Sequence, residues 1–464
     1  MFATTTYRER RERLKSLMGS GLALFLGNEE SARNYADNIY PFRQDSSFLY
    51  FFGLDVPGLA AVVDLDSKVE VIFGDDPTLD DIVWMGPQAT LGEMAERAGV
   101  TEVQPSARLT EVLAEARARR QPIHFLPPYR SENRQKLEVW LDLFAGSAGE
   151  VASVEMIEAV VALRSIKSPE EVAEINRAAD VTADMQLAAM TAARTGSSEA
   201  KVVAEIQRVA TASGGCSSFP PIVSVHGEIL HNPHHHNLLN DGDLLLCDAG
   251  AETVLHYAAD MTRTFPIAPT FTSQQREIYE VVLAAQEAAV EALEPGVRFL
   301  DVHLLAARTI TASLQQIGLM RGDIDAAVAA GAHALFFPHG LGHMMGLDVH
   351  DMEDLGEDHV GYQDMQRSSQ FGLKSLRLAR ELQPGFVLTV EPGVYFIPPL
   401  IDRWQGEGRH SDFIDYDAVA SFRTLGGIRL EEDFLITTEG SRLLGKPAAK
   451  SVADVEDIRM RAVG

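Results

Sequence analysis

The segment HGLGHMMGLDVHD, residues 339–351, brings His339, His343 and His350 into one short stretch and interleaves them with Gly340, Gly342 and Gly346. Each glycine would cost a helix interior about 1 kcal/mol relative to alanine, so the stretch reads as a loop whose backbone comes close to something. Three imidazoles on one loop suit metal ligation or proton transfer, chemistry that needs partners from elsewhere in the chain. Four strand-like segments offer them. Asp248 ends the apolar run LLLC, Asp260 follows HYAA, Glu391 follows VLTV, and Glu431 sits in IRLEEDFLI. A carboxylate buried in a strand costs several kcal/mol unless it is paired or binds a cation. If the four converge, their mutual repulsion forbids joint ionisation without compensating charge. Two divalent cations cancel four carboxylates, and His343 then supplies a neutral nitrogen ligand. An oxygen-rich set with one imidazole suits Mn(II), and less easily Co(II) or Zn(II). Such a pair of metals activates water and polarises a carbonyl or phosphoryl group, which is the chemistry of hydrolysis.

Other features carry less. His234, His235 and His236 form a run, but consecutive side chains point in different directions and the run lies in a polar loop before NDGD, so it reads as exposed. There is no G-x-S-x-G and no cysteine in a nucleophile context. Gly340 and Gly342 do not complete a G-x-G-x-x-G turn. Cys216 and Cys247, the two cysteines of the chain, are too few for a disulfide framework and read as small core residues.

The elements that must position these side chains fall into two groups. Residues 1–160 alternate strand-like runs (GLALFLG, SFLYFFGL, LAAVVDL, VEVIFG, PIHFLP) with helical ones (LTEVLAEARARR, ENRQKLEVWLDLF), the pattern of an α/β domain. The basic N-terminal stretch reads as a charged helix leading into the first strand rather than as a targeting segment. Residues 161–464 form a second domain. It opens on a long helix, where Ser168 caps, Pro169 takes the first position and Glu171 completes a capping box. Two further long helices, SQQREIYEVVLAAQEAAVEAL and LDVHLLAARTITASLQQIG, are interleaved with the acid-bearing strands. Residues 356–384 and 396–426 read as loop-rich excursions between those strands.

The 464 residues, 46% hydrophobic and 23% charged, are ordinary for a globular protein of two or three domains. A net charge of -27 would repel nucleic acid. No apolar run reaches the length of a membrane span, and a cytoplasmic enzyme is the default expectation.

HGLGHMMGLDVHD, LTVEPGVYF, GIRLEEDFLIT and the run from DAG to DMTRTFP resemble the motifs of aminopeptidase P, the Xaa-Pro aminopeptidase. That enzyme belongs to the metallopeptidase family that includes prolidase, methionine aminopeptidase and creatinase. The resemblance covers most of residues 165–440. DNIYPFRQDSSFLYFFG, residues 37–53, is also similar to the N-terminal domain that aminopeptidase P and prolidase share. It implies an α/β N-terminal domain followed by an α+β pita-bread catalytic domain. It also implies two divalent metal ions per chain held by Asp248, Asp260, His343, Glu391 and Glu431. His231, in ILHNP, takes the place of the family's substrate-facing histidine. His339 and His350 flank the metals, one against the imino side of the scissile bond and the other donating to the developing oxyanion. Arg429 resembles a supporting arginine, and Tyr395 and Asp37 its partners in a proton relay. Proline-containing peptides are the implied substrates, and a homodimer or homotetramer the implied assembly.

One departure is that eleven residues separate Asp248 from Asp260, one more than is usual in the family, so the intervening turn must absorb an extra residue. The loop glycines are expected to let substrate approach, and the two long excursions to shape the rim. Prolidase, restricted to dipeptides, is the nearest rival. A dipeptidase must hold the carboxylate after proline, for which Lys374, Arg377 and Arg380 are candidates. A non-enzymatic binding module of this fold would have no reason to keep all five ligand-type residues.

Overall fold

A computed structural model describes residues 1–363 and 365–463. The chain forms two compact units, one of residues 1–164 with 353–359 and the other of residues 165–352 with 360 onward. No helix among the described residues is long and apolar enough to cross a membrane.

In the N-terminal unit, β1 (Leu22–Leu26), β2 (Ala60–Asp64), β3 (Glu70–Phe73), β4 (Glu102–Gln104) and β5 (Ile123–His124) form one sheet in the order β4-β3-β2-β1-β5. β1–β2 and β2–β3 are antiparallel, whereas β3–β4 and β1–β5 are parallel and reached through helical crossovers. Leu22, Leu24 and Val62 of the sheet pack with Leu109, Leu113 and Leu137 of helices Arg108–Ala118 and Ser131–Leu141 in one buried cluster. SFLYFFGL, expected as a strand, is the helix Ser46–Phe52. A continuous apolar run has neither period, and its ends decide the matter: Asp45 accepts the Phe48 amide at the start, and Gly53 adopts φ 68° at the stop.

The second unit contains β6 (Cys216–Ser217), β7 (Ile222–Ser224), β8 (Leu244–Ala249), β9 (Ala251–Glu252), β10 (Met261–Pro266), β11 (Val387–Val390), β12 (Gly393–Tyr395), β13 (Gly427–Arg429), β14 (Glu432–Ile436) and β15 (Ser441–Leu443). Helices Pro169–Ala192, Glu199–Ala212, Ser273–Glu291 and Phe299–Gln316 accompany them. The first opens with the expected capping box between Ser168 and Glu171, with Pro169 at its first position. β8 pairs antiparallel with β10 and β7, and β11 with β14, which also takes β15.

The two excursions hold more structure than loops. Residues 396–426 contain helices Pro398–Gly406 and Tyr416–Ala420, and Phe396 stacks on Phe422 with ring centroids 5.4 Å apart. Residues 356–384 are irregular apart from two short helical turns, and Asp364 within them lies outside the described residues. Cys247 is a core residue as expected, but Cys216 is exposed: it lies on the two-residue strand β6, whose one strand partner among the described residues is β9.

Candidate active site

Two hairpins supply the acids. In the first, Asp248 of β8 lies opposite Thr262 of β10, so Asp260, two residues before Thr262, shares the face of Asp248. The same register continues to Glu252 opposite Ala258. The register thus runs unbroken from Asp248 to the hairpin tip. There the Thr253 amide donates to the Tyr257 carbonyl and His256 takes φ 66°, the geometry of a three-residue loop ending in a left-handed residue. In the second hairpin, Val390 lies opposite Glu432 and Gly393 opposite Arg429, one unbroken register. Glu391 and Glu431 face each other where this ladder is interrupted by Pro392.

The hairpins are stitched together. The Glu431 amide donates to the Thr262 carbonyl at 3.1 Å, and the Thr262 hydroxyl donates to Glu431 Oε2 at 2.6 Å. The histidine loop is laced to β11: the Thr389 amide donates to the His343 carbonyl at 3.0 Å, and the His343 amide to the Thr389 hydroxyl at 3.1 Å. Here Gly340 and Gly342 also serve the packing of the chain itself. A Cβ on Gly342 would stand 2.0 Å from the Thr389 carbonyl oxygen, and one on Gly340 2.9 Å from the Leu376 Cα. They make room for the protein's own backbone, although Gly340 and Gly342 also line the cleft.

That cleft, about 320 Å³, is lined by Asp248, Asp260, His343, Glu391 and Glu431, and by His231, His339, His350 and Arg429. Asp260, His343 and Glu431 offer ligand atoms within 4.8 Å of one another. His343 Nδ1 lies 3.0 Å from the Met344 carbonyl, which only accepts, so the proton belongs on Nδ1 and Nε2 turns to Asp260 (3.7 Å) and Glu391 (3.8 Å). Asp248 Oδ1 and Asp260 Oδ1 are buried without a hydrogen-bond partner among the described residues. Burial, and then repulsion from Glu431 and Asp248, pushes the Asp260 carboxyl well above the usual range. Burial followed by Glu391 and Asp248 does the same to Glu431. Burial also pushes Glu391 up to about 7, with Arg429 working against the shift. Acids so placed resist ionising together unless cations join them, and the donor set fits divalent metal ions.

Behind the acids, Arg429 pairs with Asp248, donates to the Thr262 hydroxyl at 3.0 Å and to the Tyr395 phenol oxygen at 2.9 Å. Burial opposes its charge, but Tyr395 and the neighbouring acids hold it firmly ionised. Tyr395 also meets His339 Nε2 at 2.9 Å, while His339 Nδ1 lies 2.7 Å from the Gly340 carbonyl. The carbonyl again fixes the tautomer, so Nε2 accepts the tyrosine proton. Burial and then the Arg429 charge lower the His339 pKa to about 3, which keeps this ring neutral. His350 packs edge-on against His343, ring centroids 4.2 Å apart. Asp37 is an exposed residue of the N-terminal unit, and within the second unit the Tyr395 phenol has His339 and Arg429 as partners.

Of the three basic residues of the excursion, Arg377 lines the cleft, with Ser375 beside it. Arg380 is buried, donating to Ser165 and lying over the Phe386 ring, and Lys374 sits over Phe371. Thr262 and Thr389 carry no signal of their own in the sequence: each is a fully buried hydroxyl near the acid-bearing positions, visible only once the strands are paired.

Residues 173–438 match the model of metallopeptidase family M24, and residues 7–124 that of the aminopeptidase P N-terminal domain. The chain is 32% identical to a human Xaa-Pro dipeptidase over 96% of its length and 90% of the relative's. It is 30% identical to the Xaa-Pro aminopeptidase of Escherichia coli, over 98% of both chains. The solved structure of E. coli aminopeptidase P with the inhibitor Pro-Leu superposes with a TM-score of 0.81 at 29% identity, covering 99% of both chains. The protein belongs to metallopeptidase family M24, with a pita-bread catalytic domain preceded by an aminopeptidase P-type N-terminal domain.

Proposed function

We propose that the protein hydrolyses the peptide bond between an N-terminal residue and proline, using two divalent metal ions, with Mn(II) the best match to the ligands. The observation that carries this reading is the convergence of Asp248, Asp260, His343, Glu391 and Glu431 on one cleft in a chain similar over nearly its whole length to Xaa-Pro peptidases. When bound, the metals supply Lewis-acid activation of water and of the scissile carbonyl. The chain's own residues do the rest. The five ligands hold the charge, and His343, its Nδ1–H held by Met344, presents Nε2. His231 and His350 face the cleft as substrate contacts and hydrogen-bond donors. Arg429 and Tyr395 hold Asp248 and His339 in place: the phenol oxygen accepts from Arg429 and its proton is directed to His339. Active protein should contain about two divalent ions per chain and lose activity to a strong chelator. Asp260→Ala and Glu431→Ala should abolish turnover while leaving the fold mostly intact. Near-normal activity in either variant, or no effect of the chelator, would refute the ligand assignment.

Peptides that continue beyond proline are the main substrates in this reading. Arg377 supports a second one, because a guanidinium in the cleft is suited to holding the carboxylate of an Xaa-Pro dipeptide. Comparing kcat/KM for Ala-Pro and Ala-Pro-Ala separates the two. At least equal use of the tripeptide supports the aminopeptidase; a large dipeptide preference that vanishes in Arg377→Ala supports the dipeptidase.

The same proposal includes a homodimer or homotetramer in the cytoplasm. In its support, helix Leu79–Met85 buries none of its residues in the chain and exposes Leu79, Val83, Trp84 and Met85.

A further inference from the structure

Glu199 is the first residue of helix Glu199–Ala212, and it is fully buried. Its Oε1 accepts the Val225 amide at 2.9 Å and its Oε2 the Asn237 amide at 3.1 Å. The Asn237 side-chain amide donates to both oxygens, at 3.0 and 3.1 Å. No lysine or arginine among the described residues accompanies this carboxylate; amides alone satisfy it. A carboxylate at a helix start ordinarily serves its own helix, yet these four bonds all go to one loop, at both its ends.

That loop, residues 225–237, carries Leu230 and His231, which line the cleft. Its far end lies on the start of the helix, where the Glu199 amide donates to the Asn237 carbonyl and the Ala200 amide to the His235 carbonyl, both at 3.1 Å. Inside the loop, the Asn232 side chain donates to the Ser224 hydroxyl at 2.9 Å and accepts the His234 amide at 3.1 Å. On its other side Gly227 lies against β13, the strand of Arg429; a Cβ there would come within 2.5 Å of the Gly427 carbonyl oxygen. With no ladder of its own, the loop has its span set by the clamp.

We infer that Glu199 is a positioning residue for His231: one buried carboxylate closes both ends of the 225–237 loop and so fixes how far His231 reaches into the cleft. The inference rests on His231 facing substrate, as proposed above. Small displacements of a substrate-holding group have large kinetic effects, so Glu199→Gln, which turns an amide donor toward amide donors, should lower kcat/KM about tenfold. Bound metal should be unchanged, because no ligand lies on the loop.

The test is a cycle of kcat/KM values and metal contents for wild type, Glu199→Gln, His231→Ala and the double variant. Acting through His231, Glu199→Gln should change kcat/KM by less than about twofold once His231 is gone. The same tenfold loss in both backgrounds, a loss of metal, or a Glu199→Gln enzyme within twofold of wild type while His231→Ala is impaired, overturns the inference. Full activity of His231→Ala overturns the reading of His231 itself, and the inference with it. If Glu199→Gln does not fold, Asn237→Ala removes two of the four bonds and leaves the carboxylate in place, and the same cycle is run with it.

Discussion

Tyr395 joins two side chains at once, accepting from Arg429 and donating to His339, with both partners 2.9 Å away. A phenylalanine would leave the Arg429 donor and the His339 acceptor buried without partners and free His339 to turn. Tyr395→Phe should therefore lower kcat about ten- to a hundredfold, with a smaller change in KM, a loss typical of a buried charged hydrogen bond. A kcat within twofold of wild type would show that the phenol is dispensable. Arg377 has a narrower signature: Arg377→Ala should cost dipeptide hydrolysis about tenfold or more in kcat/KM while leaving Ala-Pro-Ala almost untouched, because only the dipeptide ends in a carboxylate at that point. Equal losses on both substrates would place Arg377 in the general machinery. At this scale the sequence was legible where chemistry conflicts with burial. An aspartate at the end of LLLC or a glutamate after VLTV is anomalous by itself, and the acids named on that ground line one cleft. Thr262, Thr389 and Glu199 are not anomalous as residue types. Their importance lies in partners far along the chain, which spacing does not disclose.

Each hairpin keeps one register, the first up to its three-residue tip and the second across Pro392, so the carboxylates stay aligned. The acid-bearing strands were legible because each couples an apolar run to a polar end. The helix Ser46–Phe52 was not, because its run lacks periodicity and its caps flank it only as Asp45 and Gly53. Helix packing behind the site also sets the response to acid. His303 of helix Phe299–Gln316 and His333 are fully buried, and neither ring has a hydrogen-bond partner among the described residues. His303 lies against Phe337, which in turn meets His339 edge-on. Burial, reinforced for His303 by the charge of His333, lowers these pKa values from 6.5 to about 3 for His303 and about 4 for His333. Between those values and 6.5 the unfolded chain binds protons that the folded chain refuses. Their share of stability is thus intact above about pH 6.5 and falls as pH drops, by about 1.4 kcal/mol per pH unit for each histidine. Urea denaturation between pH 6.5 and 5 should show a shallower loss for His303→Gln and for His333→Gln than for wild type. Identical slopes would mean that the rings are not held neutral.

At the scale of the whole molecule, two properties oppose each other. The chain carries a net charge of -27, so any two copies repel. Yet the N-terminal unit presents Leu79, Val83, Trp84 and Met85 on one short helix, with Trp84 83% and Leu79 76% exposed. Neighbouring large apolar side chains this exposed are unusual on a monomer and suit a self-complementary contact between copies. If that contact assembles the protein, association should depend on salt in the direction opposite to that of an ion-paired interface. Screening shortens the reach of like charges from about 30 Å at 0.01 M to about 8 Å at 0.15 M, while apolar burial is little affected. Light scattering at micromolar concentration should give a dimer or larger species at 0.15 M salt, and a mass shifted toward the 50.7 kDa of one chain at low salt. Trp84→Glu should dissociate the assembly at both salt concentrations without changing metal content, because it places a charge in the patch and touches no ligand. A mass near one chain at 0.15 M salt would remove the assembly from the proposal, and an intact oligomer in Trp84→Glu would move the interface to another surface.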